Sequence, residues 1–225
     1  MAQNVTLAYL KEQVRARADQ QNSQFISDAE LTDYINGSAS SLYDMLVKAA
    51  EDYYVVSQVV PIVQGTNEYT LPTNFYKVLG VDYTVNSKPV PMSRFNFRDR
   101  HLYNYLDARP EIVRYATWGN SVVFRPQAPQ IANFTIWYVP AITKMVLDTD
   151  TIDGVNGWEE YIILDAAIKC MVKEESDTTA LMTQLALVKE RITTMSKDRD
   201  QGEPRTTTDI VGSRLDQYRF FDYGY

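Results

Sequence analysis

Residues 156–195, NGWEEYIILDAAIKCMVKEESDTTALMTQLALVKERITTM, decide how the rest of the chain is read. From Trp158 to Glu175, residues Ile162, Ile163, Ala166, Ala167, Cys170 and Met171 fall on one broad helical face. Asn156, with Glu159 three residues later, is the expected cap of that helix. Asp177 is placed to start another helix. There Leu181, Leu185, Val188, Ile192 and Met195 recur at spacings of 4, 3, 4 and 3. That is the a/d seam of a helix lying along a second one. The break between the two helices is short, so they should be antiparallel neighbours.

Working outward, the N-terminal stretch offers a matching pair. Residues 4–20 read as a helix capped by Asn4, with Leu7, Leu10 and Val14 at helical spacing. A polar connection follows at 20–27. Ser27-Asp28-Ala29-Glu30 is a capping box that opens a helix to about residue 52, carrying Leu31, Ile35, Leu42, Leu46 and Ala49. Gly37 inside it marks a kink or a close helix contact.

The character changes at Tyr53. Tyr54–Val60 is β-branched, Glu68–Pro72 is a short strand stopped by proline, and Val78–Val85 is another. Ile112–Thr117 and Ser121–Phe124 flank Gly119-Asn120 as a hairpin. Asn133–Val139 sets Phe134, Ile136 and Tyr138 against Thr135, Trp137 and Val139, which allows both faces to be covered. Six short strands between 53 and 140 suggest a small antiparallel sandwich or barrel. Residues 141–157 read as a loop, and no internal repeat is visible. The expected fold is therefore α+β. Residues 1–52 and 141–199 form a four-helix bundle, 53–140 an inserted β domain, and 200–225 an extended C-terminal tail.

Composition bounds what this fold can do. The chain has 225 residues, one cysteine and one histidine. That excludes an internal disulfide, Cys₂ or Cys₄ zinc sites and multi-histidine metal sites. The net charge is −7 and the pI about 4.8, the opposite of a general nucleic-acid binder. No apolar run approaches ~18 residues, so no membrane span is expected. The start, MAQNVTLAYLKEQV, has no basic region followed by an apolar stretch, so no signal peptide is expected. The 16 Tyr, 8 Phe and 3 Trp suit interfaces and β-rich domains alike.

Candidate sites for chemistry are few. His101 has no nucleophile in a strained turn near it and reads as an ordinary surface or packed histidine. Cys170, among Ile168, Met171 and Val172, reads as a buried thiol. Asp148, Asp150 and Glu159 take positions 1, 3 and 12 of a calcium loop, but Ile152 stands at position 5 and Gly154 comes one residue late. A polar loop entering a capped helix explains them better. The adjacent pairs Glu51-Asp52, Glu159-Glu160 and Glu174-Glu175 diverge on a helix and read as solvated faces. There is no Gly-rich phosphate loop. No catalytic residue, cofactor or metal is expected, and the chain reads as a non-enzyme. The basic and aromatic segment Arg94–Tyr105 could meet nucleic acid by phosphate contact and stacking, but in a chain of charge −7 protein contact is the better reading.

The tail differs again. Residues 201–208 are polar and without helical period, so they should be extended or disordered alone. Tyr218-Arg219-Phe220-Phe221-Asp222-Tyr223-Gly224-Tyr225 then holds five aromatics in eight residues. Aromatics and arginine anchor interfaces, so a groove that receives this segment is expected, on its own fold or on a partner.

The run Ile136-Trp137-Tyr138-Val139-Pro140-Ala141, then Asp148–Thr151, then Gly157-Trp158-Glu159-Glu160-Tyr161-Ile162 through Ala166-Ala167 to Lys173-Glu174-Glu175-Ser176-Asp177 resembles the head-to-tail adaptor proteins of tailed bacteriophages. The likeness is clear over roughly 130–200. Elsewhere it rests on the order helix pair, β insertion, helix pair, tail. These are packing residues and not catalytic ones. The resemblance implies a dodecameric ring below the portal vertex, in the virion neck between head and tail, made in the host cytoplasm. The ring would extend the DNA channel without sequence-specific contact and present a surface to a downstream tail or nozzle protein. It also implies a C-terminal segment that wedges into the portal protein, which assigns portal contact to Arg214, Tyr218, Arg219, Phe220, Phe221, Tyr223 and Tyr225. A second reading is another tail-tube or nozzle ring protein of a short-tailed phage, and a more distant one a glycan- or receptor-binding module.

Overall fold

The computed structural model describes residues 4–21, 25–50, 52–63, 65–85, 88–105, 113–126 and 133–197. Four helices carry one hydrophobic cluster: α1 (Leu7–Arg17), α2 (Asp28–Ala49), α3 (Glu159–Lys173) and α4 (Thr179–Lys197). Helix α3 is the centre of it. Ile162, Ile163, Ala166, Ala167 and Cys170 are all buried there, because α3 lies against α1, α2 and α4. Leu7, Leu10 and Val14 of α1 and Leu31, Ile35, Leu42 and Leu46 of α2 face it, at the spacing the sequence shows.

The helix starts differ in detail from the sequence reading. Asn4 does not cap α1. Asn4–Thr6 is a short strand, β1, paired antiparallel with another, β9 (Thr151–Asp153), inside the expected loop. Pairing holds residue 4 extended, and Thr6 caps instead, its Oγ1 accepting from Tyr9 N at 3.3 Å. Ser27 caps α2 as expected, accepting from Glu30 N. Helix α2 stops at Ala49, where Ala50 turns extended, and not at 52. No side chain caps α3. Trp158 holds the N-cap position after Gly157 at φ +78°, and Asn156 offers only its carbonyl, to Arg191. Asp177 does start α4, accepting from Thr179 N at 3.0 Å and from its hydroxyl at 2.6 Å.

Helix α2 runs unbroken through Gly37, and the space around it is ordinary, so neither a kink nor a close helix contact requires the glycine. A Cβ there would sit 3.6 Å from Lys169 Nζ on α3. Beside it, Ser38 Oγ lies 2.7 Å from Asp165 Oδ2 and accepts from Lys169 Nζ, which pairs with Asp165. This polar clip fixes α2 against α3. On α4, Leu181, Leu185 and Val188 pack partly buried and Ile192 is fully buried, but Met195 is 54% exposed. Ser196, the next residue, is buried, so the last turn of α4 still packs on the molecule and Met195 lies on its outer side.

Among the described residues seven strands lie between the helix pairs: β2 (Val56–Pro61), β3 (Glu68–Thr70), β4 (Phe75–Val85), β5 (Lys88–Pro91), β6 (Arg114–Trp118), β7 (Ser121–Arg125) and β8 (Asn133–Pro140). They make two antiparallel sheets, ordered β2-β8-β4-β5 and β3-β7-β6. One cluster draws on both. Phe134 of β8 meets Tyr69 of β3 at 5.0 Å and Phe124 of β7 at 4.5 Å, both edge-on. Among the described residues neither sheet closes into a barrel, which corrects that half of the expectation. The sheets meet through side chains and not through a shared ladder, and Arg94, beyond the end of β5, makes one isolated bridge to Tyr115 of β6. On β8 the alternation holds for Phe134, Ile136 and Tyr138. On its other face Val139 is buried against Tyr43 and Val47 of α2, while Trp137 is open enough to donate to Asp82 at the surface.

Candidate interaction surfaces

The residues weighed for chemistry are placed against it. His101 is exposed. Cys170 is buried in the helical cluster, and burial pushes its thiol up to about 11, so it has little thiolate at neutral pH. Asp150 Oδ2 accepts from Val146 N and Leu147 N, which lowers its carboxyl below the usual range, and Asp148 pairs with Lys11 at 2.7 Å. Both carboxylates thus serve the loop and α1. Among the described residues no group of three or more His, Cys, Asp or Glu is placed to hold a metal ion. Arg214, Tyr218, Arg219, Phe220, Phe221, Tyr223 and Tyr225 lie outside the described residues.

Two surfaces stand out. The first is an apolar groove of about 390 Å³ where α2, the start of β2, the end of β8 and β9 converge. Leu42, Tyr43, Tyr54, Val56, Ile142 and Ile152 line it. Tyr43 organises this corner. Its hydroxyl donates to Pro140 O, and its ring stacks on Tyr54 at 4.6 Å and 20°. Tyr76, 6.3 Å away, donates to Asp44 Oδ1 at 3.0 Å. Burial, then the neighbouring Tyr76 and Asp44, pushes the Tyr43 phenol up to about 12.

That shift sets an alkaline limit. Above pH ~10 an unfolded Tyr43 loses its proton, whereas the folded one keeps it until about 12. The folded state then holds more protons, so stability is whole below pH 10 and falls as pH rises through that window. The loss should be about 2 kcal/mol across the window. Tyr43→Phe should start less stable by about 1 kcal/mol, for the hydrogen bond to Pro140, and decline less steeply. Urea unfolding of both chains from pH 9 to 11.5 checks this, and parallel curves would contradict it.

The second surface is the basic and aromatic segment, built on two short 3-10 turns at Phe97–Asp99 and Leu102–Tyr105. Phe95 is buried and meets Tyr103 at 5.6 Å and Trp118 at 6.2 Å. Phe97 sets itself edge-on to Trp118 at 5.5 Å, and Arg100 lies 4.3 Å over its ring while donating to Phe97 O at 3.0 Å. Arg114 stands 5.4 Å over Tyr103. The segment is thus a fixed knob and not a loose loop. Outward it offers Phe97, 61% exposed, and Leu102, 69% exposed, beside Arg94 and Arg98. Among the described residues no carboxylate pairs with Arg94, Arg98, Arg100 or Arg114. The sequence shows this knob as a mixture of residue types. The groove has no such signal, because its lining comes from four separated segments.

A model of the SU10 adaptor protein family matches residues 5–211. The match takes in both helix pairs, all of the strands between them and the first part of the tail. No curated protein matches the chain.

Proposed function

The chain belongs to the SU10 adaptor protein family, which makes it a structural, head-to-tail adaptor component of a phage virion, and from that premise we propose that it forms the ring joining the portal to the tail. The family match across both helix pairs and the strands carries this reading. In it, twelve copies close a ring through a heterologous contact, in which each copy presents two different faces. The ring extends the DNA channel, and a chain of charge −7 suits a wall that DNA must pass without sticking. The helices act as a four-helix bundle spanning 1–52 and 141–199. Residues 53–140 act as an inserted sandwich directed to a tail or nozzle protein. Residues 200–225 dock on the portal, through Arg214, Tyr218, Arg219, Phe220, Phe221, Tyr223 and Tyr225. Folding of that tail upon binding would give the aromatic block its place.

The test is to mix the purified chain with the portal ring of the same virus and image the mixture by electron microscopy. A second ring stacked coaxially on the portal is the expected result. Bare portals beside free chains would overturn the reading and move the chain to a nozzle position.

A further inference from the structure

We propose that the knob at 94–103 of one copy seats in the apolar groove of a second copy, and that this is the contact between neighbouring subunits. The inference rests on the ring reading above and names the faces that meet. Copies that each carry −7 repel one another, so a contact between them needs a place where the sign reverses. The knob is such a place. Residues 94–105 hold three arginines against one aspartate, and the described neighbours add Arg114 and no paired carboxylate.

The groove offers the complement. Asp153 lies in its lining, and exposed Asp44 and Asp52 stand in the sequence beside Tyr43 and Tyr53, with Lys48 one turn on from Asp44 and Lys144 beside Thr143. Its volume of about 390 Å³ admits one large apolar side chain such as Phe97 or Leu102. Those two side chains also favour a protein over nucleic acid as the occupant. Phosphates would use the arginines but would leave Leu102 in water, whereas a protein face buries both. The cations of the knob are all arginine, the type enriched at protein interfaces where lysine is depleted. Arg100, already held on the Phe97 ring, loses little freedom on docking. The groove and the knob belong to different parts of the chain, as a heterologous contact requires.

Charge reversal tests this on the full-length chain by sedimentation velocity at low and high salt. Wild type should self-associate, more so at low salt. Two variants should each sediment as monomers, R98E/R100E in the knob and D44R/D52R at the groove, with thermal melts matching wild type. Mixed, the two variants should associate again, because the reversed knob meets the reversed groove. Should either double variant melt early, L102D replaces it on the knob side, and its association should fall likewise. Three results would overturn the contact: a wild type that stays monomeric, variants that associate like wild type, or a mixture that does not recover. Salt-sensitive binding of a duplex oligonucleotide, lost in R98E/R100E while self-association persists, would also overturn it and assign the knob to phosphate. The ring reading fails separately. If wild type and R98E/R100E stack equally well on the portal, the ring stands and this contact falls. If wild type leaves portals bare but the variants repair one another, the contact stands and the ring on the portal falls.

Discussion

Deleting residues 200–225 should leave a chain that melts with the full-length protein and no longer sits on the portal. The first half follows from composition: residues 201–208 are polar and without helical period, so they offer the helical cluster no apolar face. The second half follows from the composition of the tail, where five aromatics in the last eight residues form the densest set of interface anchors in the chain. Truncating one anchor costs about 2 kcal/mol at a well-packed site, roughly thirty-fold in affinity. Losing the set should remove detectable binding. The family match adds a finer arm, since it ends at residue 211. All seven residues assigned to the portal lie beyond that point. Deleting only 212–225 should therefore be as damaging as deleting 200–225. A chain lacking 212–225 that binds the portal with full affinity would place the docking determinant in the family-shared stretch or in the folded part. Binding isotherms on immobilised portal, with thermal melts as the folding control, decide between these.

Helix positions were legible because one-sided burial on a helix leaves a periodic trace. Leu31, Ile35, Leu42 and Leu46 point to one cluster, and so do Ile162, Ile163, Ala166 and Ala167. What the sequence hid is mostly pairing between distant residues. Asn4–Thr6 looks like a helix start, and only the partner strand at 151–153 makes it extended. Strand β5 carries Pro89 and Pro91, which argue against a strand until it is seen on the edge of its sheet. The expected cap at Asn156 fails for a local reason. Asn156 has the residue type and the spacing, but the positive φ at Val155 and Gly157 turns the chain so that Trp158 occupies the cap. Of the two surfaces, the knob could be seen because it is contiguous. The groove could not, since Tyr43, Tyr54, Ile142 and Ile152 meet only after folding. The choice of sandwich or barrel depended on strand order, which alternation along single strands does not encode.

The division into helical and β parts makes the other large prediction. Phe134 is fully buried between rings of the opposite sheet, Tyr69 and Phe124. Phe134→Ala should cost about 3–5 kcal/mol, the range for emptying an aromatic core site. Ile162, fully buried in the helical cluster, should cost about 2–5 kcal/mol as Ile162→Ala. Among the described residues the two large clusters share no member, and Tyr43, Val47 and Val139, with their partly buried neighbours, form a small one between them. If 53–140 is an inserted unit with its own core, calorimetry should show two transitions. Phe134→Ala should then lower one of them by about 12 °C or more, at roughly 4 °C per kcal/mol for a unit of this size, and leave the other in place. Ile162→Ala should do the reverse. A single transition lowered by both variants would mean that the small cluster around Tyr43 couples the two parts into one cooperative unit. In that case the groove at their junction is a rigid feature of the whole chain, and Tyr43→Phe should soften both parts together.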